Sequence, residues 1–291
     1  MQPSESAFLA IRGRRYHVRC WGPPDAPRLF LLHGWMDVSA SFQFMVDAFE
    51  RPWRVIAPDW RGFGLSQWNP GVYWFLDYLA DLDALLAILS PDRPADVAGH
   101  SLGGNLACLY AGVRPERVRR IATLEGFGIQ DTRPEDAPKR LAKWLQQVRE
   151  PPAFREYASL DQVAARLRKN NPRLTPERAL FLAGHWTERR SDDRVGMLAD
   201  PGHKIVNATL YRLAESMAVW RRIACPVLWV DSSDAPTEKW LRETPEGMAR
   251  RKACFARFSE TTIADAGHMM HVDQPEACAR VVERFFTEDA P

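Results

Sequence analysis

The chain is 291 residues long and 46% apolar, enough for one large core rather than two small ones. Its 39 basic and 37 acidic side chains leave a net charge of +2, which supplies no field for recruiting nucleic acid or an anionic membrane. No apolar run reaches the ~18 residues a membrane-spanning helix needs. Residues 1–10 carry no secretory signal, and the five cysteines, odd in number and without a Cys-x-x-Cys pair, read as reduced thiols, so a cytoplasmic protein is expected.

Residues 8–11 and 16–21 are β-type runs joined by Arg-Gly-Arg-Arg, a hairpin signal. The run at 28–33 has the continuous apolar character of a strand buried on both faces and ends at His33-Gly34-Trp35. Helical spacing at 41–49 precedes a second buried strand at 53–58, which runs into Asp59-Trp60-Arg61-Gly62-Phe63-Gly64-Leu65-Ser66. Residues 73–89 repeat their apolar positions with a period of 3.6. A short strand at 95–100 feeds a helix at 105–112, and a further strand at 118–124 ends at Glu125.

Strands alternating with helices imply parallel pairing through right-handed crossovers, hence a doubly wound, mostly parallel α/β sheet. Ligands of such sheets bind at the carboxyl ends of the strands, where His33, Asp59, Ser101 and Glu125 all fall.

Between residues 129 and 204 the pattern changes to proline-punctuated helical segments at 137–149, 160–169 and 176–186 with no convincing strand among them. This stretch is expected to be a helical cap inserted into a core made of residues 1–128 and 205–291. A cap over the strand ends would exclude water and line a pocket for a small, apolar substrate. The core resumes with a helix in 209–222, a strand at 225–230, the polar loop Asp231-Ser232-Ser233-Asp234, a helix within 244–255, a strand near 261–264 and a last helix at 276–286.

The stretch that carries chemistry is Gly99-His100-Ser101-Leu102-Gly103-Gly104, a Gly-x-Ser-x-Gly nucleophile elbow. A serine hydroxyl is a weak nucleophile at neutral pH and needs a base with a pKa near 7. His268, in a Gly-His loop after the last strand, supplies one; His271 is the competing base, and His100 reads as a packing or hydrogen-bonding residue. The remaining histidines show no metal-ligand spacing such as His-x-x-x-His, so neither metal nor cofactor is expected.

Leu32-His33-Gly34-Trp35, Asp59-x-Arg61-Gly62-x-Gly64-x-Ser66, the elbow and Gly267-His268 follow one another in the order and spacing of α/β-hydrolases, which the whole chain resembles. With Met36-Asp37 and Ser41-Phe42 it is more particularly similar to the serine hydrolase-like proteins. That resemblance implies an oxyanion hole from the backbone N–H groups of Trp35 and Leu102, and a bracing role for Asp59 and Arg61 in a carboxylate–guanidinium network. It puts the triad acid either in the loop after the penultimate strand, where Asp234 is preferred over Asp231, or at Glu125. The expected activity is cofactor-independent hydrolysis of a carboxylic ester, thioester or amide through an acyl-enzyme. A carbon–carbon bond hydrolase and a receptor-like binding protein of little turnover are the alternatives.

Overall fold

The computed structural model describes residues 1–190 and 193–288. Strands β1 (Ser4–Ile11) and β2 (Arg14–Trp21) form an antiparallel hairpin. Its two-residue turn, Arg12-Gly13, has positive φ at both positions, the backbone that matches the twist of the flanking strands. β3 (Arg28–Leu32), β4 (Arg54–Pro58), β5 (Ala95–His100) and β6 (Val118–Leu124) then pair in parallel, joined by helical crossovers. Two short strands, β7 (Thr187–Arg189) and β8 (Val195–Met197), lie apart, and β9 (Val227–Ser232) and β10 (Phe258–Ile263) complete the main sheet. Its eight strands run in the order β1-β2-β4-β3-β5-β6-β9-β10, with only β1 and β2 antiparallel to their neighbours.

Helices cover both faces. Against one face pack α2 (Phe75–Leu89), α3 (Leu102–Val113), α7 (Leu213–Trp220) and α9 (Pro245–Lys252), through Leu82, Leu85, Leu106, Trp220 and Met248. Against the other lie α1 (Gln43–Asp47) and α11 (Pro275–Thr287), through Met45, Val46, Cys278 and Val282. Burying both faces explains why β3 and β4 read as continuous apolar runs rather than as alternating ones. All five cysteines are buried and unpaired. Among the described residues no helix is long and apolar enough to cross a membrane.

Between β6 and β9 stand α4 (Ala137–Arg149), α5 (Leu160–Asn170) and α6 (Pro176–Trp186). Ser159 and Thr175 cap α5 and α6 by accepting from the backbone N–H groups of Gln162 and Arg178, and Pro176 sits in the first turn of α6, where no N–H is missed. Val163, Ala179, Leu182 and Val195 form a small cluster of their own that also takes in Val272. The sequence expectation of helices without strands is corrected by β7 and β8, which pair antiparallel. Their Thr-Glu-Arg and Val-Gly-Met segments are too short and too poor in apolar residues to show a period of two. Two more short helices, α8 (Thr237–Leu241) and α10 (Met270–Asp273), follow β9 and β10 and shape the loops at the strand ends.

Candidate active site

β5 turns into α3 at Ser101, whose φ of 49° and ψ of −110° lie in a region that L-residues rarely adopt. Close packing enforces the turn. A Cβ on Gly99 would lie 2.4 Å from the carbonyl carbon of Gly103, and one on Gly103 would lie 2.1 Å from the Leu32 carbonyl oxygen. The Ser101 N–H donates to the Leu124 carbonyl at 2.8 Å, fixing the turn to the end of β6. α3 begins at Leu102, so its first N–H groups lie outside the helical ladder, next to the serine.

The loop after β3 comes up beside the elbow: a Cβ built on Gly34 would be 3.4 Å from the Ser101 Cβ. Trp35 follows with about half its surface exposed. The buried His33 holds this loop from below. Its Nε2 accepts from the Trp60 N–H at 2.9 Å, which leaves Nδ1–H to donate to the Gly34 carbonyl at 2.7 Å. Burial lowers the His33 pKa, in keeping with the neutral tautomer that this pair of contacts demands.

Glu125 ends β6 in the left-handed region, with φ 53°, and is wholly buried. One carboxylate oxygen meets Nδ1 of His268 and the other accepts from the Ser232 hydroxyl. His268 leaves its ring partly exposed, and its backbone carbonyl accepts from Nε2 of His100 at 2.7 Å. His100 is thus the hydrogen-bonding residue its position suggested.

The preference for Asp234 is corrected by this geometry. Asp234 is exposed and pairs with Arg173, and its backbone N–H donates to the Ala266 carbonyl at 3.1 Å. Asp231 is occupied too, accepting from the backbone N–H and hydroxyl of Thr237 at 3.1 and 3.0 Å. The reason is geometric: β9 stays in the sheet through Ser232, so Asp231 is taken up by α8 and Asp234, in the loop that follows, by Arg173. Nor is His271 near Ser101's open side; it is fully buried between Phe42 and His100.

Asp59 and Arg61 do not share one network. Asp59 is enclosed by His17 Nδ1 at 2.7 Å and the N–H groups of Ser39 and Leu65 at 2.7 and 3.0 Å. Burial works to raise its pKa, but those donors and the charge of His17 outweigh it and hold the carboxyl well below its usual range. Arg61 instead donates through Nε and Nη2 to Asp81 on α2, at 2.5 and 2.6 Å. Asp81, buried on α2, is a bracing residue that no motif of the sequence marks. A cavity of about 250 Å³ between these loops and the end of α6 is lined by Val38, Leu65, His185 and Leu198, not by Ser101 or His268.

A family model described as alpha/beta hydrolase fold matches residues 27–275. The chain belongs to the α/β-hydrolase fold family. A serine hydrolase-like protein of Danio rerio is 25% identical over 280 residues, covering 93% of this chain and 85% of the relative. A 3-hydroxybutyrate-oligomer hydrolase of Cupriavidus necator is 27% identical over 289 residues, covering 94% of this chain and 92% of the relative. Among solved structures, a thioesterase domain from the curacin biosynthetic pathway superposes with a TM-score of 0.83 at 24% identity, over 97% of this chain and 99% of that domain. The family and these relatives support a hydrolase.

Proposed function

We propose that this α/β hydrolase is a serine esterase using Ser101 as nucleophile, His268 as base and Glu125 as the acid, with no cofactor. The observation that carries the reading is the buried Glu125 carboxylate on Nδ1 of His268, taken together with a serine held in a strained turn. A carboxylate there holds Nδ1 as the protonated nitrogen, so that Nε2 offers its lone pair to the serine, and it stabilises the imidazolium that forms.

In the proposed reaction Ser101 Oγ attacks the ester carbonyl carbon while its proton passes to His268 Nε2. The carbonyl oxygen, now anionic, is met by the N–H groups of Trp35 and Leu102. Collapse of the tetrahedral intermediate breaks the carbon–oxygen bond, and the alkoxide leaves with the proton from Nε2. Water, deprotonated by the same nitrogen, then attacks acyl-Ser101 and releases the carboxylic acid and the free serine. The exposed indole of Trp35 favours a small, apolar acyl group. The relative named for hydroxybutyrate oligomers is consistent with an aliphatic ester, since that bond is itself a carboxylic ester.

The test is mass-spectrometric mapping of a fluorophosphonate probe, together with turnover of short-chain p-nitrophenyl esters. Modification confined to Ser101 and suppressed in His268→Ala is the expected result. An unlabelled Ser101, or labelling indifferent to His268, would sink the proposal.

A further inference from the structure

Beneath the elbow, on the side away from the cap opening, three polar side chains converge from three separate elements. Asp37 comes from the loop after β3, His100 from the end of β5 and His271 from α10. All three are at least nine-tenths buried: Asp37 and His100 are each 2% exposed and His271 is 0% exposed. Within this group Asp37 Oδ2, His100 Nδ1 and both ring nitrogens of His271 have no hydrogen-bond partner. Buried polar atoms cost of order 1–3 kcal/mol each when nothing pairs with them, so four in one place call for an occupant that binds them together.

The far sides of two of these groups fix what the near sides offer. His100 Nε2 faces the His268 carbonyl oxygen at 2.7 Å, an acceptor only, so Nε2 carries the proton and Nδ1 presents a bare lone pair. Asp37 Oδ1 is engaged by the Val38 N–H at 2.8 Å, which turns Oδ2 toward His271 Nε2, 3.7 Å away. The His100 and His271 rings are 4.5 Å apart. A lone pair on one nitrogen, a carboxylate oxygen and a second imidazole thus meet, and among the described residues none of these atoms has a hydrogen-bond partner. The single N–H of a neutral His271 cannot satisfy both the carboxylate oxygen and the His100 lone pair; a cation held between them can.

We infer that Asp37, His100 and His271 form a buried site for one divalent transition-metal ion of the zinc type. Two imidazoles and one carboxylate are the donor set that borderline-soft divalent ions take, and alkaline-earth ions, which want oxygen ligands, do not. The ligand atoms lie within 4.8 Å of one another. Bonds of roughly 2.0–2.2 Å to nitrogen and oxygen bring tetrahedral ligands to about 3.4 Å, so the rings need close by little more than an ångström. The outer contacts are those that metal-bound residues use: an imidazole whose second nitrogen donates to a backbone carbonyl, and a carboxylate whose second oxygen is held by a backbone amide. No linear spacing announces this site, because its ligands are 63 and 171 residues apart in the chain.

Bound there, the ion would tie the oxyanion loop, the strand that carries the serine and the helix behind His268 into one unit. This assignment stands or falls separately from the esterase reading. The experiment uses the full chain, stripped with chelator and titrated with Zn2+ by calorimetry, with Co2+ as a spectroscopic probe. One equivalent bound, a rise in Tm of roughly 5 °C or more at saturation, and visible Co2+ bands of a nitrogen-and-oxygen site are expected. His268→Ala should keep all three, which separates the site from the catalytic pair. Asp37→Asn and His271→Gln should each weaken binding at least tenfold. A folded wild type that takes up no metal overturns the inference, as does uptake lost in His268→Ala and kept in His271→Gln. Should either ligand variant fail to fold, the Co2+ spectrum of His268→Ala decides, its bands supporting the site and their absence refuting it.

Discussion

The ends of β6 and β9 lie side by side in the sheet, with Leu124 opposite Val230, and both carry carboxylates, yet they put them to opposite uses. At the end of β6 the backbone of Glu125 swings into the left-handed region and turns the side chain inward, between the Ser232 hydroxyl and His268. At the end of β9 the strand continues through Ser232; Asp231 anchors the start of α8 by way of Thr237, and Asp234 pairs with Arg173, between α5 and α6. What separates a candidate catalytic carboxylate from a structural one here is one backbone dihedral and one neighbouring hydroxyl, rather than residue type or distance along the chain. β9 contributes to the site after all, but through Ser232 and not through an acid.

The comparison breaks most visibly at Glu125. Glu125→Gln should lower kcat for a p-nitrophenyl ester by roughly 10³–10⁴, because the amide no longer holds the imidazole tautomer or its charge. A loss of less than tenfold would end the case for the β6 carboxylate.

Ser232→Ala sharpens it. Removing one donor to a buried carboxylate should cost roughly tenfold in kcat with little change in KM, while the fold survives. Unchanged kcat would mean that the hydroxyl only fills space.

Asp231 gives a smaller effect that appears in stability. Burial raises its pKa in the folded chain, against hydrogen bonds from Thr237 that lower it. The folded state therefore holds its proton to higher pH than the unfolded one, and stability contributed by this group falls as pH climbs through the raised value. The Tm of Asp231→Asn relative to wild type should accordingly improve as pH rises through the upper carboxylate range, and a difference flat in pH would contradict the burial argument.

Asp234→Asn should matter least: its ion pair with Arg173 is exposed, so kcat should stay within about twofold and stability within roughly 0.5 kcal/mol. If this variant lost more activity than Glu125→Gln, the two loops would have to exchange roles.

The contrast also marks what can be read from residues alone. β3 and β4 are legible because Leu29–Leu32 and Val55–Pro58 are unbroken apolar stretches, the composition of a strand buried on both faces. The elbow, too, is legible, because Gly99 and Gly103 are sterically forced and no third residue decides them. The choice between the candidate acids is not: Glu125, one of the two placements open from the sequence, meets His268 only through a positive φ that a glutamate seldom adopts and that no local motif announces. Arg61 presents the same problem, since its partner Asp81 lies 20 residues ahead on a helix whose acidic residues look like a solvated face. The short strands β7 and β8 hide for a different reason, being three residues each and too short to show a period of two.

His33 gives the loop that carries Trp35 an acid fuse. Both its ring nitrogens are committed, one as acceptor from Trp60 and one as donor to Gly34, so a second proton would set N–H against N–H and expel the Trp60 contact. Burial puts that event below the ordinary imidazole range. The unfolded chain takes the proton that the folded one refuses, so the stability His33 supplies is intact above that range and drains away as pH falls through the lowered value. Mild acidity should therefore leave the loop seated, and its release on further acidification should be abrupt.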